Sequence, residues 1–429
     1  MWGKKEWLIF LVAFAFFALF TRTLTISPND ASRMGPVEGI VDHGTFSIDQ
    51  SHFNSTMDRV FINGHYYSDK PMMSYLIFVP FYFALSKRGI NFVTNHGLTY
   101  YVLTLFTLGV SVAAMLAFFF RLLKRYKLPT KTRLFYTAAL GLCTLMLPYA
   151  LAVNNHALTG AFLLMSYYFL VTAETPAHYA FAGLLAGLTA TFEIAIGPIF
   201  LVLFTIFLFL KKRFARMAWY VAGAALPVIA YLVINYAISG SIIPFSIRPE
   251  LFKYPGSAFS GGPGSASLSG TVSRPLAATL DYAWNVLFGW RGFFTYMPVL
   301  LFSAVGLLFA ACKKGKFRHE AIVVTFGILL SILFYVTKTD NYGGCGYGFR
   351  FLVPLIPILF VFTPFLFQQK QAGFELKVLF VIALAFSFVV AWMGVSMHMW
   401  TCNNQMLPPY TLRQVLQGIN GALSYHYIL

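Results

Sequence analysis

The sequence predicts an all-α polytopic membrane protein, and three observations predict it. Of the 429 residues, 58% are hydrophobic and only 10% are charged, with a mean hydropathy of +0.70. Soluble domains are nearer a quarter charged. Apolar runs approaching the roughly 20 residues that a helix needs to cross hydrocarbon recur along the chain. The basic residues behind a net charge of +17 lie in short clusters between those runs. That distribution is a topology signal and argues against a nucleic-acid surface.

Eleven candidate spans follow: 7–26, 97–120, 134–152, 157–173, 179–194, 196–210, 217–237, 296–312, 321–337, 351–367 and 378–398. The first is read as a retained span, because no small-residue cleavage site follows it. Residues 71–86 are apolar too, but sixteen residues reach only about 24 Å as a helix, and Pro80 interrupts them. If that stretch crossed, Arg121, Lys124, Arg125 and Lys127 would move to the outer side. It is therefore expected to be an interfacial or re-entrant helix.

With the N terminus inside, the short inner loops collect more than half of the 31 basic residues, and most acids fall outside. The chain then forms one membrane domain, 1–429, in an inner (plasma) membrane. Its long polar segments share the periplasmic or extracellular side: 27–96, 238–295, 338–350 and the C-terminal tail 399–429. No inner segment is long enough for a nucleotide domain, and no Walker or Gly-rich nucleotide fingerprint appears. Any chemistry is expected outside, powered by a preloaded substrate.

The first outer loop is the richest in candidates. Asp30 and Arg33 stand one helical turn apart directly after the first span. Two readings of Asp30 stay open. In one, Asn29 or Asp30 caps an amphipathic helix over 31–42 that Gly44 ends. In the other, Asp30 is a catalyst. Further on, Asp69-Lys70-Pro71 places a cation at the start of the interfacial stretch, an arrangement suited to phosphate. Tyr66 and Tyr67 before it read as interface anchors, and Tyr67 also as a substrate contact.

This loop resembles the first external loop of the GT-C superfamily of membrane glycosyltransferases, nearest the protein O-mannosyltransferases and the lipid A aminoarabinose transferases. Members carry an acid after the first span, then a basic residue in an amphipathic helix, then a Lys-Pro-Pro-like element. Asp30, Arg33 and Lys70-Pro71 occupy those places, with Met72 where the second proline usually stands. The resemblance is best in the N-terminal half. It implies a GT-C-like helical fold and an inverting transfer of a hexose or pentose from a polyprenyl phosphate to a lipid, glycan or protein acceptor. It implies Asp30 as the base, alone or through a divalent metal, which His156 of this chain could help to hold, and Lys70, Arg33 and Arg350 as phosphate or donor contacts.

Other candidates surround that set. Asn154, Asn155 and His156 lie where relatives often have a second acid, and are open to metal, sugar or turn roles. Glu193 is an intramembrane carboxylate, expensive unless paired or functional. Arg291 and Arg350 sit where outer loops re-enter apolar spans, beside the glycines of 343–348 and the stacking candidates Tyr342 and Tyr347. Asp58 reads as a solvated loop residue. Cys345 and Cys402 both lie on the outer side and are expected to pair. Pro255–Gly270 is expected to be a mobile lid. Two other functions compete with transfer: a transporter or flippase of a lipid-linked substrate, and a non-catalytic scaffold. No internal repeat supports transport.

Overall fold

The computed structural model describes residues 2–259, 274–339, 341–344, 346–369 and 372–397. Cys345, Cys402, Asp340, most of the Gly/Ser-rich segment and the C-terminal tail lie outside the described residues, and the expected disulfide and lid with them. Every expected span contains a helix, and the chain is a polytopic helical membrane protein. Among the described residues, four helices are by themselves long and apolar enough to cross: His96–Tyr126, Phe214–Ser239, Arg318–Lys338 and Phe374–Ser396.

Several helices end before their apolar runs do, and each early end has a local cause. The opening helix, Lys4–Phe20, stops six residues short of its expected limit. There Thr21 Oγ1 donates to the Phe17 carbonyl at 2.8 Å, and the Arg22 amide turns to the Leu151 carbonyl at 3.0 Å. The third run is helical only over Thr130–Leu142 and then breaks into the short turn Met146–Tyr149. The run at 351–367 carries Pro354, Pro357 and Pro364 and becomes a series of short helical pieces. Proline lacks the N–H that would continue each turn.

Close helix contacts use small residues, as lipid-embedded packing requires. Pro176–Phe192 meets Phe214–Ser239 so tightly that a Cβ on Gly183 would lie 1.8 Å from the Tyr220 carbonyl oxygen. A Cβ on Gly223 would lie 1.9 Å from that of Ala180. At the end of the bundle carrying the basic clusters, Arg125 grips Glu320 with two bonds of 2.6 Å, and the Tyr167 hydroxyl adds a third at 2.7 Å. This staple ties the two halves of the chain together.

The first loop builds a small platform. Pro28–His43 is a helix with Ser27 as its N-cap and Gly44, at φ 67°, as its left-handed stop. The cap is therefore Ser27 and not Asn29 or Asp30. A hairpin follows, Arg59–Ile62 paired antiparallel with His65–Ser68. Its turn is Asn63-Gly64, both at positive φ as a two-residue turn of this hand demands. The apolar stretch at 71–86 splits into Met73–Leu76 and Val79–Ser86, with Pro80 at the start of the second piece. It lies against the loop helix: Tyr82 and Ser86 both donate to the Asp42 carboxylate, at 2.6 and 2.8 Å.

Candidate active site

A cavity of about 350 Å³ opens where the platform meets the bundle. Its wall comes from four places. The N-terminal turn of the loop helix gives Ser27, Pro28, Asn29 and Arg33. The loops flanking the hairpin give Asp58, Asp69, Lys70 and Pro71. The bundle gives Asn155, His156, Glu193, Arg350 and Phe351, and Phe252 and Phe259 lie on the wall from the later loop.

Lys70 is held between two acids, with Nζ 2.7 Å from Asp58 and 2.8 Å from Asp69. Ser32 locks that corner: its hydroxyl lies 2.5 Å from the Asp58 carbonyl, 2.8 Å from Ser68 Oγ and 3.1 Å from Asp69 Oδ1. Burial pushes the Asp69 carboxyl up, the charge of Asp58 adds to this, and Lys70 opposes both. Burial also works to raise Asp58, but there Lys70 wins and the carboxyl is held low. Asp58, expected to be a solvated loop acid, is thus a half of the Lys70 clamp.

Arg33 is 2% exposed. It donates to the Asn29 carbonyl at 2.7 Å, to the Asn29 side chain and to Asn155 Oδ1. Burial, then the nearby Arg350, lower its pKa to about 10, which leaves it charged at neutral pH. Asn155 passes the contact on: its amide nitrogen donates to the Phe192 carbonyl at 2.9 Å and to Glu193. Glu193 sits where the helix Pro176–Phe192 ends. It also receives His156 Nδ1 at 3.1 Å and the Tyr335 hydroxyl at 3.0 Å. The intramembrane acid is therefore fully partnered.

Arg350 reaches the cavity because its neighbours lack side chains. A Cβ on Gly346 would lie 2.9 Å from Arg350 Cδ, and one on Gly343 would lie 3.2 Å from Cγ. The wall then carries three cations (Arg33, Lys70, Arg350) and three acids (Asp58, Asp69, Glu193). It is balanced in formal charge and not simply cationic.

Asp30 requires a correction. Its side chain is 0% exposed and does not line the cavity. Nor does it line the more open depression of about 470 Å³ on the far side of Ser27 and Pro28, where His52 and His96 lie. Its carboxylate accepts from the amides of Ser27 (2.9 Å), Ala31 (3.0 Å) and Ile26 (3.2 Å) and from the Tyr100 hydroxyl (3.1 Å). Together with Ser27 it forms a capping box. Burial nevertheless pushes its carboxyl up to about 6, against those donors. Asp30 and His156 do not suit a shared metal, since the Asp30 oxygens already accept four hydrogen bonds and His156 Nδ1 faces Glu193.

The other expected contacts divide cleanly. Arg33, Asp69, Lys70, Asn155, His156 and Arg350 line the cavity; Tyr67, Arg291, Tyr342 and Tyr347 do not. Arg291 instead donates to the carbonyls of Tyr342 (3.3 Å) and Gly344, fixing the glycine-rich loop. Tyr342 packs on Tyr282 and Trp290. The hydroxyl of Tyr347 is spent on the Val390 carbonyl at 2.8 Å.

No protein-family model matches this chain, and no curated protein matches it. Among solved structures it is similar to the crystal structure of ArnT from Cupriavidus metallidurans bound to undecaprenyl phosphate. The TM-score is 0.52 over all of this chain and 73% of that one, at 13% identity. The chain shares the fold of that protein. The resemblance read from Asp30, Arg33 and Lys70-Pro71 implies that architecture, and the fold extends it to the half of the chain where motifs are sparse.

Proposed function

We propose that the chain is a membrane glycosyltransferase that takes a sugar from a polyprenyl phosphate and passes it to a hydroxyl acceptor. One observation carries the reading: Arg33, Lys70 and Arg350 converge on a single cavity beside buried acids, where the platform meets the bundle. The fold likeness supports it, because ArnT was solved with undecaprenyl phosphate bound.

The chemistry follows from charge. In one inverting displacement the acceptor oxygen attacks the anomeric carbon and the bond to the phosphate oxygen breaks. One negative charge then develops on the departing lipid phosphate. Cations already aimed at that oxygen stabilise the transition state without reorganisation. Lys70 is fixed by its two acids and Arg33 by Asn29 and Asn155, so both are pre-placed. Arg350 enters from the bundle side. Asp30 serves this arrangement indirectly, by holding the turn that carries Asn29 and Arg33. The cavity lies on the side expected to be periplasmic, away from the basic clusters and the Arg125–Glu320 staple.

The test uses purified full-length protein, undecaprenyl-phosphate pentose and hexose donors, and a membrane-lipid extract as acceptor. The expected result is sugar transfer with release of undecaprenyl phosphate, cut about 100-fold or more by Arg350→Ala. Movement of intact donor across vesicles without sugar release would establish a flippase instead. Equal turnover by the variant would remove Arg350 from the phosphate site.

A further inference from the structure

We propose that His156, held by Glu193, is the group that takes the acceptor's proton. The inference rests on the transferase reading above and deepens it. Attack by a hydroxyl needs a base on the cavity wall, and Asp30 is sealed behind that wall. Asp58 and Asp69 line it, but each is bound to Lys70 Nζ within 2.8 Å. Lys70 holds the Asp58 carboxyl low, and both oxygens of Asp69 are engaged, Oδ2 by Lys70 and Oδ1 by Ser32.

His156 is arranged differently. It lines the cavity and is 4% exposed. Its Nδ1 lies 3.1 Å from Glu193 Oε2, and a carboxylate there accepts a hydrogen bond from Nδ1–H. That fixes the tautomer and leaves the lone pair on Nε2. Nε2 has no hydrogen-bond partner among the described residues and is not among the sealed polar atoms. Glu193 is itself oriented on both oxygens, by Asn155 and His156 on one and by Tyr335 on the other. A base oriented by a buried carboxylate is the working part of many acyl- and group-transfer sites. The rings of Tyr149 and Phe351 flank the imidazole at 6.1 Å and fix its plane.

The step balances. The acceptor O–H proton moves to His156 Nε2 while its oxygen forms the new bond to the anomeric carbon. The electrons of the breaking bond pass to the phosphate oxygen. The imidazolium then returns its proton to water. The charged groups around the ring are Glu193 from the helix break, Arg33 from the platform and Arg350 from the end of the glycine-rich loop. Burial disfavours the protonated ring most, the acid favours it, and the two arginines oppose it. His156 is the catalytic residue in this scheme and Glu193 a positioning residue.

Three measurements on the full-length protein test this. In undecaprenyl-phosphate sugar turnover, the wild type should lose rate on the acid side as His156 protonates. His156→Gln should lower kcat about 100-fold or more and abolish that acid limb. Glu193→Gln should lower kcat less and move the limb to lower pH, because the imidazole loses its anion. His156→Gln should bind undecaprenyl phosphate within twofold of wild type, which separates the base from the phosphate site. Independently of turnover, diethyl pyrocarbonate should modify His156 in the folded protein, and undecaprenyl phosphate should protect it. A wild type without turnover on any donor overturns the transferase reading and this inference together. A wild type that turns over beside an equally active His156→Gln, or a His156 inert to the reagent, overturns this inference alone.

Discussion

Two buried carboxylates flank the cavity, and they are held in opposite ways. Asp30 is bound by three amides of its own turn and by one tyrosine, and both its oxygens are spent. Glu193 is bound by side chains from distant parts of the chain and stands on the cavity wall. An acid whose partners are neighbouring amides serves the backbone that supplies them. An acid whose partners are side chains with their own open faces can pass its influence on. The difference separates a residue that builds the site from one that acts in it, although both are acids at an apolar boundary.

The largest expected effect tests that difference directly. Glu193→Ala removes the anchor of Asn155, His156 and Tyr335 and should cut turnover at least 100-fold. Asp30→Ala should act first on folding. It strands three backbone N–H groups in a sealed turn, at about 1–3 kcal/mol for a buried unsatisfied group and about 1 kcal/mol for the cap. Its apparent melting temperature in detergent should fall by several degrees more than that of Glu193→Ala. Asp30→Asn keeps the shape of the turn and is the sharper probe. If it melts like wild type yet loses two decades of turnover, the comparison breaks and Asp30 regains the role of base.

Much of this arrangement was legible in the sequence. Apolar length gave the helices, and the family resemblance carried by Asp30, Arg33 and Lys70-Pro71 implied the fold. Residue type and position named six wall residues: Arg33, Asp69, Lys70, Asn155, His156 and Arg350. Helix ends were less legible, because side chains such as Thr21 and partners such as Leu151 decide them. Asp58 was missed because nothing local distinguishes a clamped loop acid from a solvated one; the hairpin brings it to Lys70. The signal for that hairpin, Asn63-Gly64 between alternating residues, was present and unread. Glu193 stood out by cost alone, since its partners lie 37, 38 and 142 residues away. Arg291, Tyr342 and Tyr347 have the right chemistry for a ligand, but backbone carbonyls and neighbouring rings claim them first.

A smaller effect is expected from Asn155→Asp. The new carboxylate keeps an acceptor for Arg33 but loses the donor that faces Glu193 and Phe192. Two carboxylates in contact cannot both ionise, so one holds a proton. Turnover should fall about tenfold, the worth of roughly one pKa unit. Adding Glu193→Gln should not recover the loss, because it also takes from His156 the carboxylate that holds its Nδ1. A double variant no better than either single would mean that Glu193 works through His156 and not through Arg33.

The smallest effect concerns the opposite corner, where the acids face a lysine. The cavity wall is balanced in formal charge, so an incoming phosphate adds uncompensated negative charge unless an acid gives way. Asp69 is the acid best placed to do so, since burial and the neighbouring Asp58 already favour its protonated form. Its proton would come on with the lipid, while Asp58 keeps Lys70 in place at 2.7 Å. Proton uptake linked to binding makes affinity fall as pH rises, and the loss should appear above the ordinary carboxylate range because the Asp69 pKa is raised. Undecaprenyl phosphate titrates on its own, so the quantity to read is the ratio of Kd between wild type and Asp69→Asn in the same lipid. That ratio should be near one at acidic pH and should grow toward neutrality, the variant binding several-fold tighter there. A ratio that stays flat with pH would show that Asp69 keeps its charge when phosphate enters, leaving Arg33, Lys70 and Arg350 to carry the added negative charge unaided.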